Sequence, residues 1–229
     1  MKTLGMIGGT SWHSTIVYYK LINELVGNKI GTQANPELLL YSINIELMRE
    51  QNKEKINAKY LEVADKLEKA GAKAIIICAN TPHMVYSFVQ PQINIPILHI
   101  ADAIGKEASR LKLSKLGLLG NQPTMTGSFI PSFLESNFGI KTIIPDVEHI
   151  TKSHTYVSQE LTQGKFTDKA REFFLQQIQL LKDKGAEGII LGCTELPMLI
   201  DATHSNIPLI ATTQLHAKMA SDFIMEKEA

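Results

Sequence analysis

Short apolar runs alternate along the chain with longer stretches in which apolar positions recur at steps of three and four. The runs at 4–7, 37–43, 74–78, 97–100, 116–119, 142–144, 188–191 and 209–211 are predicted strands. Several are apolar on both faces, as strands buried in a parallel sheet must be. The stretches at 14–26, 53–70, 104–111, 168–184 and 214–226 are predicted helices. In 53–70, Ile56, Tyr60, Val63, Leu67 and Ala70 fall on one face. Gly71 and Gly185 each follow a helical stretch and suit a left-handed C-terminal cap. This rhythm predicts an α/β fold with parallel sheets and right-handed crossovers.

The pattern repeats. Gly71-Ala72-Lys73-Ala74-Ile75-Ile76-Ile77 returns 114 residues later as Gly185-Ala186-Glu187-Gly188-Ile189-Ile190-Leu191. Leu4-Gly5-Met6-Ile7-Gly8 returns after 112 residues as Leu116-Gly117-Leu118-Leu119-Gly120, and Asn94-Ile95-Pro96-Ile97 after 112 as Asn206-Ile207-Pro208-Leu209. Three matched segments in one order predict two similar parallel-sheet α/β domains related by internal duplication, with a cleft between them. The expected first domain is 1–100 plus 212–229, the last helix crossing back onto it; the second is 101–211. At the 114-residue spacing Cys193 stands opposite Ala79, Thr194 opposite Asn80, and Gly192 opposite Cys78.

In open parallel sheets, ligands sit beyond the carboxyl ends of the strands. Four polar turns follow predicted strands there: Gly8-Gly9-Thr10-Ser11, Ala79-Asn80-Thr81-Pro82, Gly120-Asn121-Gln122-Pro123-Thr124 and Gly192-Cys193-Thr194-Glu195. Their backbone N–H groups and hydroxyls can hold a carboxylate or phosphate at a helix start; each alone reads rather as an ordinary capped turn, and the four together at paired positions reverse that weighting. Cys193, at a strand end and helix start, is expected to have a lowered thiol pKa and to be the catalytic group. Glu195 is expected to favour the local helix dipole. Cys78 points the other way along its strand and is expected to be structural. His83 reads either as a support for its turn or as a solvent-exposed helix-start histidine. Trp12 and Met125 read as cleft walls or as core.

Composition narrows the field. Hydrophobic residues make up 44% of the 229, and 23 basic residues balance 23 acidic ones, so a nucleic-acid partner is not expected. The Lys53/Lys55 and Lys66/Lys69 pairs read as solvated helix faces. No apolar run is long enough to span a bilayer, and the amino-terminal residues lack a signal-peptide form. Two strand-end cysteines make no disulfide framework, so a cytoplasmic location is expected. The histidines show no metal-ligand spacing, so no metal is expected. The first turn lacks G-x-G-x-x-G spacing and a Walker lysine, so no nucleotide is expected.

These residues together resemble a known family. The stretch 4–15, Leu-Gly-Met-Ile-Gly-Gly-Thr-Ser-Trp-His-Ser-Thr, resembles the opening of the aspartate/glutamate racemases. Asn80-Thr81-Pro82-His83 resembles the end of their first catalytic motif, Cys-Asn-Thr-x-His, and Gly192-Cys193-Thr194-Glu195 is similar to their second, Gly-Cys-Thr-Glu. The resemblance covers essentially the whole chain. It implies a cofactor-independent amino-acid racemase, a homodimer, in which one cysteine removes the Cα proton and another delivers a proton to the opposite face. Carried over, Cys193 is the second catalytic cysteine, and Asn80, Thr81 and Thr194 are substrate-binding turn residues. Thr10 and Thr124 lie on loops approaching the substrate, an amino acid or small dicarboxylate. Lys152 lies where a basic residue meets its side-chain carboxylate, and Asn52 matches a polar contact. The first catalytic cysteine falls on Ala79, which supplies no proton, and 42–49 has no match to the arginine-bearing loop of some aspartate racemases. Three functions therefore fit: a racemase with an altered first base, a single-cysteine lyase or isomerase of a small carboxylic acid, and a silent binding protein for an amino acid or dicarboxylate.

Overall fold

The computed structural model describes residues 1–226. The chain divides into two compact units, one of residues 1–99 and 216 onward, the other of residues 100–215. In unit 1 the order is β1 (Leu4–Gly8), α1 (Trp12–Ile30), β2 (Leu38–Ser42), α2 (Glu46–Arg49), α3 (Lys53–Lys69), β3 (Ala74–Ile77), a 3-10 turn Thr81–Val85, α4 (Tyr86–Val89) and β4 (Ile97–Leu98). Unit 2 runs α5 (Ile100–Arg110), β5 (Lys115–Leu119), α6 (Gln122–Thr126), α7 (Phe129–Phe138), β6 (Lys141–Ile143), α8 (Val147–Gln159), α9 (Asp168–Asp183), β7 (Gly188–Leu191), α10 (Leu196–Leu199) and β8 (Leu209–Ala211). Helix α11 (Thr212–Met225) follows, and from His216 it belongs to unit 1. All eight predicted strands form. The run at 97–100 shortens to two residues because Ile100 already starts α5, four residues before the predicted helix start.

Each unit holds one four-stranded parallel sheet, ordered β2-β1-β3-β4 in unit 1 and β6-β5-β7-β8 in unit 2. The two orders are the same topology, as a duplication requires. Both faces of each sheet are covered, which is why the strands read as unbroken apolar runs. On one face of the first sheet Ile7, Ile75 and Ile77 pack with Tyr60, Val63 and Leu67 of α3. On the other, Leu4, Met6 and Ile76 pack with Tyr18 and Ile22 of α1 and with Ala217, Ala220 and Ile224 of α11. In unit 2, Leu119, Ile189 and Leu191 meet α8 and α9, while Leu116, Leu118 and Ile190 meet α5 and α7.

The repeat extends to individual backbone bonds. Helices α3 and α9 end in the same way: Ala72 N–H reaches Leu67 O at 3.0 Å, and Ala186 N–H reaches Leu181 O at 2.9 Å, each across a glycine with φ +103° (Gly71) or +91° (Gly185). This is the Schellman cap, with Leu and Ala forming its apolar contact. Next, Ile75 N–H bonds Pro96 O at 2.8 Å and Ile189 N–H bonds Pro208 O at 2.9 Å. The matched sequence segments are therefore those that fix where each helix stops and each strand pairs.

Candidate active site

In a sheet ordered 2-1-3-4, successive connections diverge between the first and third strands, which opens a crevice at their carboxyl ends. In unit 2 that point lies between β5 and β7, so Gly120–Thr124 and Gly192–Glu195 are neighbours. Gly192 N–H donates to Leu119 O at 2.7 Å, extending the ladder past β7. A Cβ on Gly120 would lie 2.9 Å from Gly192 O, and one on Gly192 would lie 2.8 Å from Leu119 O, so the two turns can press together only as glycines. Ser153 of α8 donates to Gly120 O at 2.8 Å and holds the first turn from behind. Thr124 is fully buried, its N–H bonded to Asn121 Oδ1 at 2.9 Å.

Cys193 and Glu195 are paired at this turn. Both are buried, and the Cys193 thiol donates to Glu195 Oε2 at 3.0 Å. Burial, followed by the adjacent carboxylate, holds the thiol pKa well above its ordinary value. This overturns the expectation of a lowered pKa. Helix α10 is one short turn, too small a dipole to offset those two effects. Glu195 makes no side-chain cap bond to α10 and instead accepts from the thiol. Thr194 between them is half-buried. Lys152 is exposed on α8, its ammonium 5.0 Å from the ring centre of Phe173.

Thr213 is a candidate that sequence reasoning missed. It follows β8, whose Ala211 is paired with Leu191 of β7. Thr212 donates to Leu191 O at 3.1 Å, while the Thr213 hydroxyl is buried without a hydrogen-bond partner. The signal was a Thr-Thr pair at the carboxyl end of the last strand, a fifth polar end beside the four recognised.

In unit 1 the corresponding point lies between β1 and β3. Cys78 N–H donates to Ile7 O at 2.9 Å, matching the Gly192 bond, and Ser14 donates to Cys78 O at 2.7 Å. The Cys78 side chain is buried in the apolar core, and desolvation pushes its thiol pKa upward. Ala79 is half-buried and Asn80 buried; Asn80 Oδ1 has no partner within the protein. Thr81 opens the 3-10 turn. Thr10 shares a 2.9 Å hydrogen bond with the Tyr60 hydroxyl. Asn52 is exposed, and its Oδ1 caps α3 by accepting from Lys55 N–H at 3.0 Å, so its oxygen is committed to the helix. Past the turns the strict repeat lapses. His83 N–H closes onto Asn80 O, whereas Leu196 N–H closes onto Cys193 O, so Cys193 matches Ala79 by spacing and Asn80 by bond pattern.

His83 is fully buried, which removes its solvent-exposed reading. Its Nδ1–H donates to Ala79 O at 2.9 Å and lies 3.2 Å from Asn80 O, so the ring is tied to the turn. Its ring centre is 4.9 Å from that of His99 and 5.2 Å from that of His216. His216 donates from Nε2 to Leu98 O at 2.7 Å and accepts at Nδ1 from the Tyr18 hydroxyl at 2.9 Å. Desolvation lowers the pKa of all three, that of His83 to about 4. Trp12 is neither core nor closed wall: it is exposed and stacked on His13 at 3.6 Å, whereas Met125 is buried in unit 2. Among the described residues no group of three or more His, Cys, Asp or Glu side chains is placed to hold a metal ion, and no helix is long and apolar enough to cross a membrane.

Two units of one parallel topology, one carrying a buried thiol–carboxylate pair at its switch point, define a duplicated α/β protein. Residues 7–220 match the Asp/Glu/Hydantoin racemase family, and the chain belongs to it. A structure from Yersinia pestis described as an Asp/Glu racemase superposes with a TM-score of 0.92 at 34% identity, over 99% of this chain and all of that one. An aspartate racemase homologue from Pyrococcus horikoshii gives 0.87 at 33% identity, again over 99% and 100%. The broad-specificity amino-acid racemase RacX of Bacillus subtilis is 24% identical over 94% of this chain and 95% of its own length.

Proposed function

We propose that the protein is a cofactor-independent amino-acid racemase in which Cys193 is the acid/base group. The observation that carries this reading is the buried Cys193–Glu195 hydrogen bond, within the Gly-Cys-Thr-Glu stretch that resembles the second catalytic motif of the aspartate/glutamate racemases. The α-proton of an amino acid is a weak acid, so its removal needs a strong base kept from water. The resting thiol is neutral at neutral pH. Moving its proton from Sγ to Glu195 Oε2 shifts the negative charge by one hydrogen-bond length instead of creating a second buried charge. The thiolate so formed takes the Cα proton, and water, standing in for the thiol that Ala79 lacks, reprotonates the carbanion from the opposite face; the hydroxide left is neutralised as Glu195 releases its proton to solvent. Backbone N–H groups of the turns, with Asn80, Thr81, Thr124 and Thr194, hold the α-carboxylate where charge develops. Thr10 and Lys152 serve the remainder of the substrate. The enzyme acts as a homodimer in the cytoplasm without pyridoxal phosphate or metal.

Ala79 favours a second reading, chemistry on one face only, as in a lyase or isomerase of a small carboxylic acid. Cα proton–deuterium exchange in D₂O across L- and D-amino acids separates the two. Exchange with inversion, abolished by Cys193→Ser in a folded protein, is the expected outcome. Exchange without inversion transfers the assignment to one-sided chemistry. Ligand-induced stabilisation with no exchange leaves a binding protein.

A further inference from the structure

The turn after β1 holds its shape with its own polar groups. Gly9 N–H donates to Thr15 Oγ1 at 2.9 Å, the Thr15 hydroxyl donates to Ser11 O at 3.0 Å, and Ser11 Oγ caps α1 by accepting from Ser14 N–H at 3.3 Å. Thr10 stands apart from this set. Its hydroxyl lies 2.9 Å from that of Tyr60, and each hydroxyl is the other's one hydrogen-bond partner among the described residues. Tyr60 sits on the core face of α3 with no exposed surface, and burial raises its pKa, so the phenol keeps its proton. A buried hydroxyl proton left unbonded is costly, and Thr10 Oγ1 is the acceptor within reach. Tyr60 therefore donates and Thr10 accepts, which leaves the Thr10 proton turned away from Tyr60 and unclaimed. Packing does not call for the phenol oxygen: 114 residues later Phe174 occupies the same place on α9, equally buried.

We propose that Tyr60 is a positioning residue for the ligand: by taking one lone pair of Thr10 it fixes the Thr10 hydroxyl as a donor, and the group received there is a carboxylate oxygen of the substrate's side chain. This rests on the reading above of Thr10 as a substrate contact. A threonine hydroxyl left alone rotates and can give or accept. One that already accepts from a buried phenol gives in a fixed direction, and is polarised into a stronger donor. A carboxylate supplies the acceptor it needs; a cationic side chain supplies none.

Isothermal titration calorimetry with L- and D-aspartate as probes tests this without any turnover. Tyr60→Phe removes one oxygen and installs the residue that unit 2 already packs at that place. It is expected to weaken binding of the tighter enantiomer by about three- to tenfold, and Thr10→Val by about tenfold or more. Thr10→Ser, which keeps the hydroxyl, is expected to bind within about threefold of wild type. The double variant decides the matter. In the Thr10→Val background, Tyr60→Phe is expected to weaken binding by less than about twofold, because the phenol then has no donor to orient. If it weakens binding there as much as it does alone, Tyr60 acts through packing and the proposal falls. The proposal also falls if Tyr60→Phe binds as wild type does, or if wild type binds neither enantiomer. Binding that shows this coupling without any Cα exchange upholds the role of Tyr60 and removes the racemase reading instead.

Discussion

Acidification should open unit 1 while unit 2 stays closed. His83, His99 and His216 are buried together, and each is held neutral by desolvation. Among the groups facing them are the Tyr18 hydroxyl, the Tyr86 ring and backbone carbonyls of Ala79, Asn80 and Leu98. No carboxylate contributes to the shift of any of the three. A histidine whose folded pKa lies below its unfolded value of about 6.5 stabilises fully above that value. The contribution is lost as pH falls from there toward the folded pKa, about 4 for His83. At pH 5 an unfolded histidine has gained a proton that folded His83 refuses, which costs about 2 kcal/mol, and His99 and His216 act in the same direction. Even the first of these is a large fraction of the stability of many domains. Hydrogen exchange, corrected for the intrinsic pH dependence of the amide, resolves the two units. The opening free energy of the Ile75–Ile77 amides should drop by about 2 kcal/mol or more between pH 7.5 and pH 5, and that of the 189–191 amides by less than about 1 kcal/mol. Equal protection of Ile75–Ile77 at both pH values would refute the reasoning, because it would mean that the cluster accepts protons without opening.

Glu195→Gln keeps the shape of the site but removes the group that takes the thiol proton, so Cα exchange should slow by about 10²- to 10⁴-fold; a rate within a factor of two of wild type shows that Glu195 is not the acceptor. Ala79→Cys should raise racemisation of aspartate or glutamate by about tenfold or more, equivalent to about 1.4 kcal/mol of barrier, because it supplies the second thiol of the family motif; a fast wild type left unchanged by the substitution points instead to another second base, with His83 and Cys78 the next to replace. Gln177 of α9 is buried with neither amide atom bonded, and its counterpart 114 residues earlier is the core residue Val63. Gln177→Leu should therefore stabilise unit 2 by about 1–2 kcal/mol in urea unfolding, and a lower midpoint would show that the amide has a partner.

The parallel strands were legible because burial on both faces leaves a run with no polar alternation, and the repeat was legible because caps and pairing bonds depend on particular residues such as Gly71, Gly185, Pro96 and Pro208. Helix α8 was not. Its inward positions are Ile150, Ser153, Tyr156 and Val157, and one of them is polar because it must bond Gly120 O. The turn holding Cys193 could be found from its place after β7, but the thiol's state could not. That depends on a carboxylate two residues away being folded back onto the sulfur, which a strand or helix would forbid. The histidine cluster was invisible for a related reason: its members come from the 3-10 turn, the end of β4 and α11, and only the tertiary fold unites them.

The return of the chain to unit 1 at His216 also sets an order of birth. Residues 100–215 are continuous, so every residue of that unit is available once they have left the ribosome. The face of the first sheet bearing Leu4, Met6 and Ile76 must wait for Ala217, Ala220 and Ile224. Translation from His99 to His216 takes on the order of ten seconds. For that interval the first half made is a sheet with one face covered by α1 alone, offering apolar surface to chaperones or to neighbouring nascent chains. The half synthesised first is completed last.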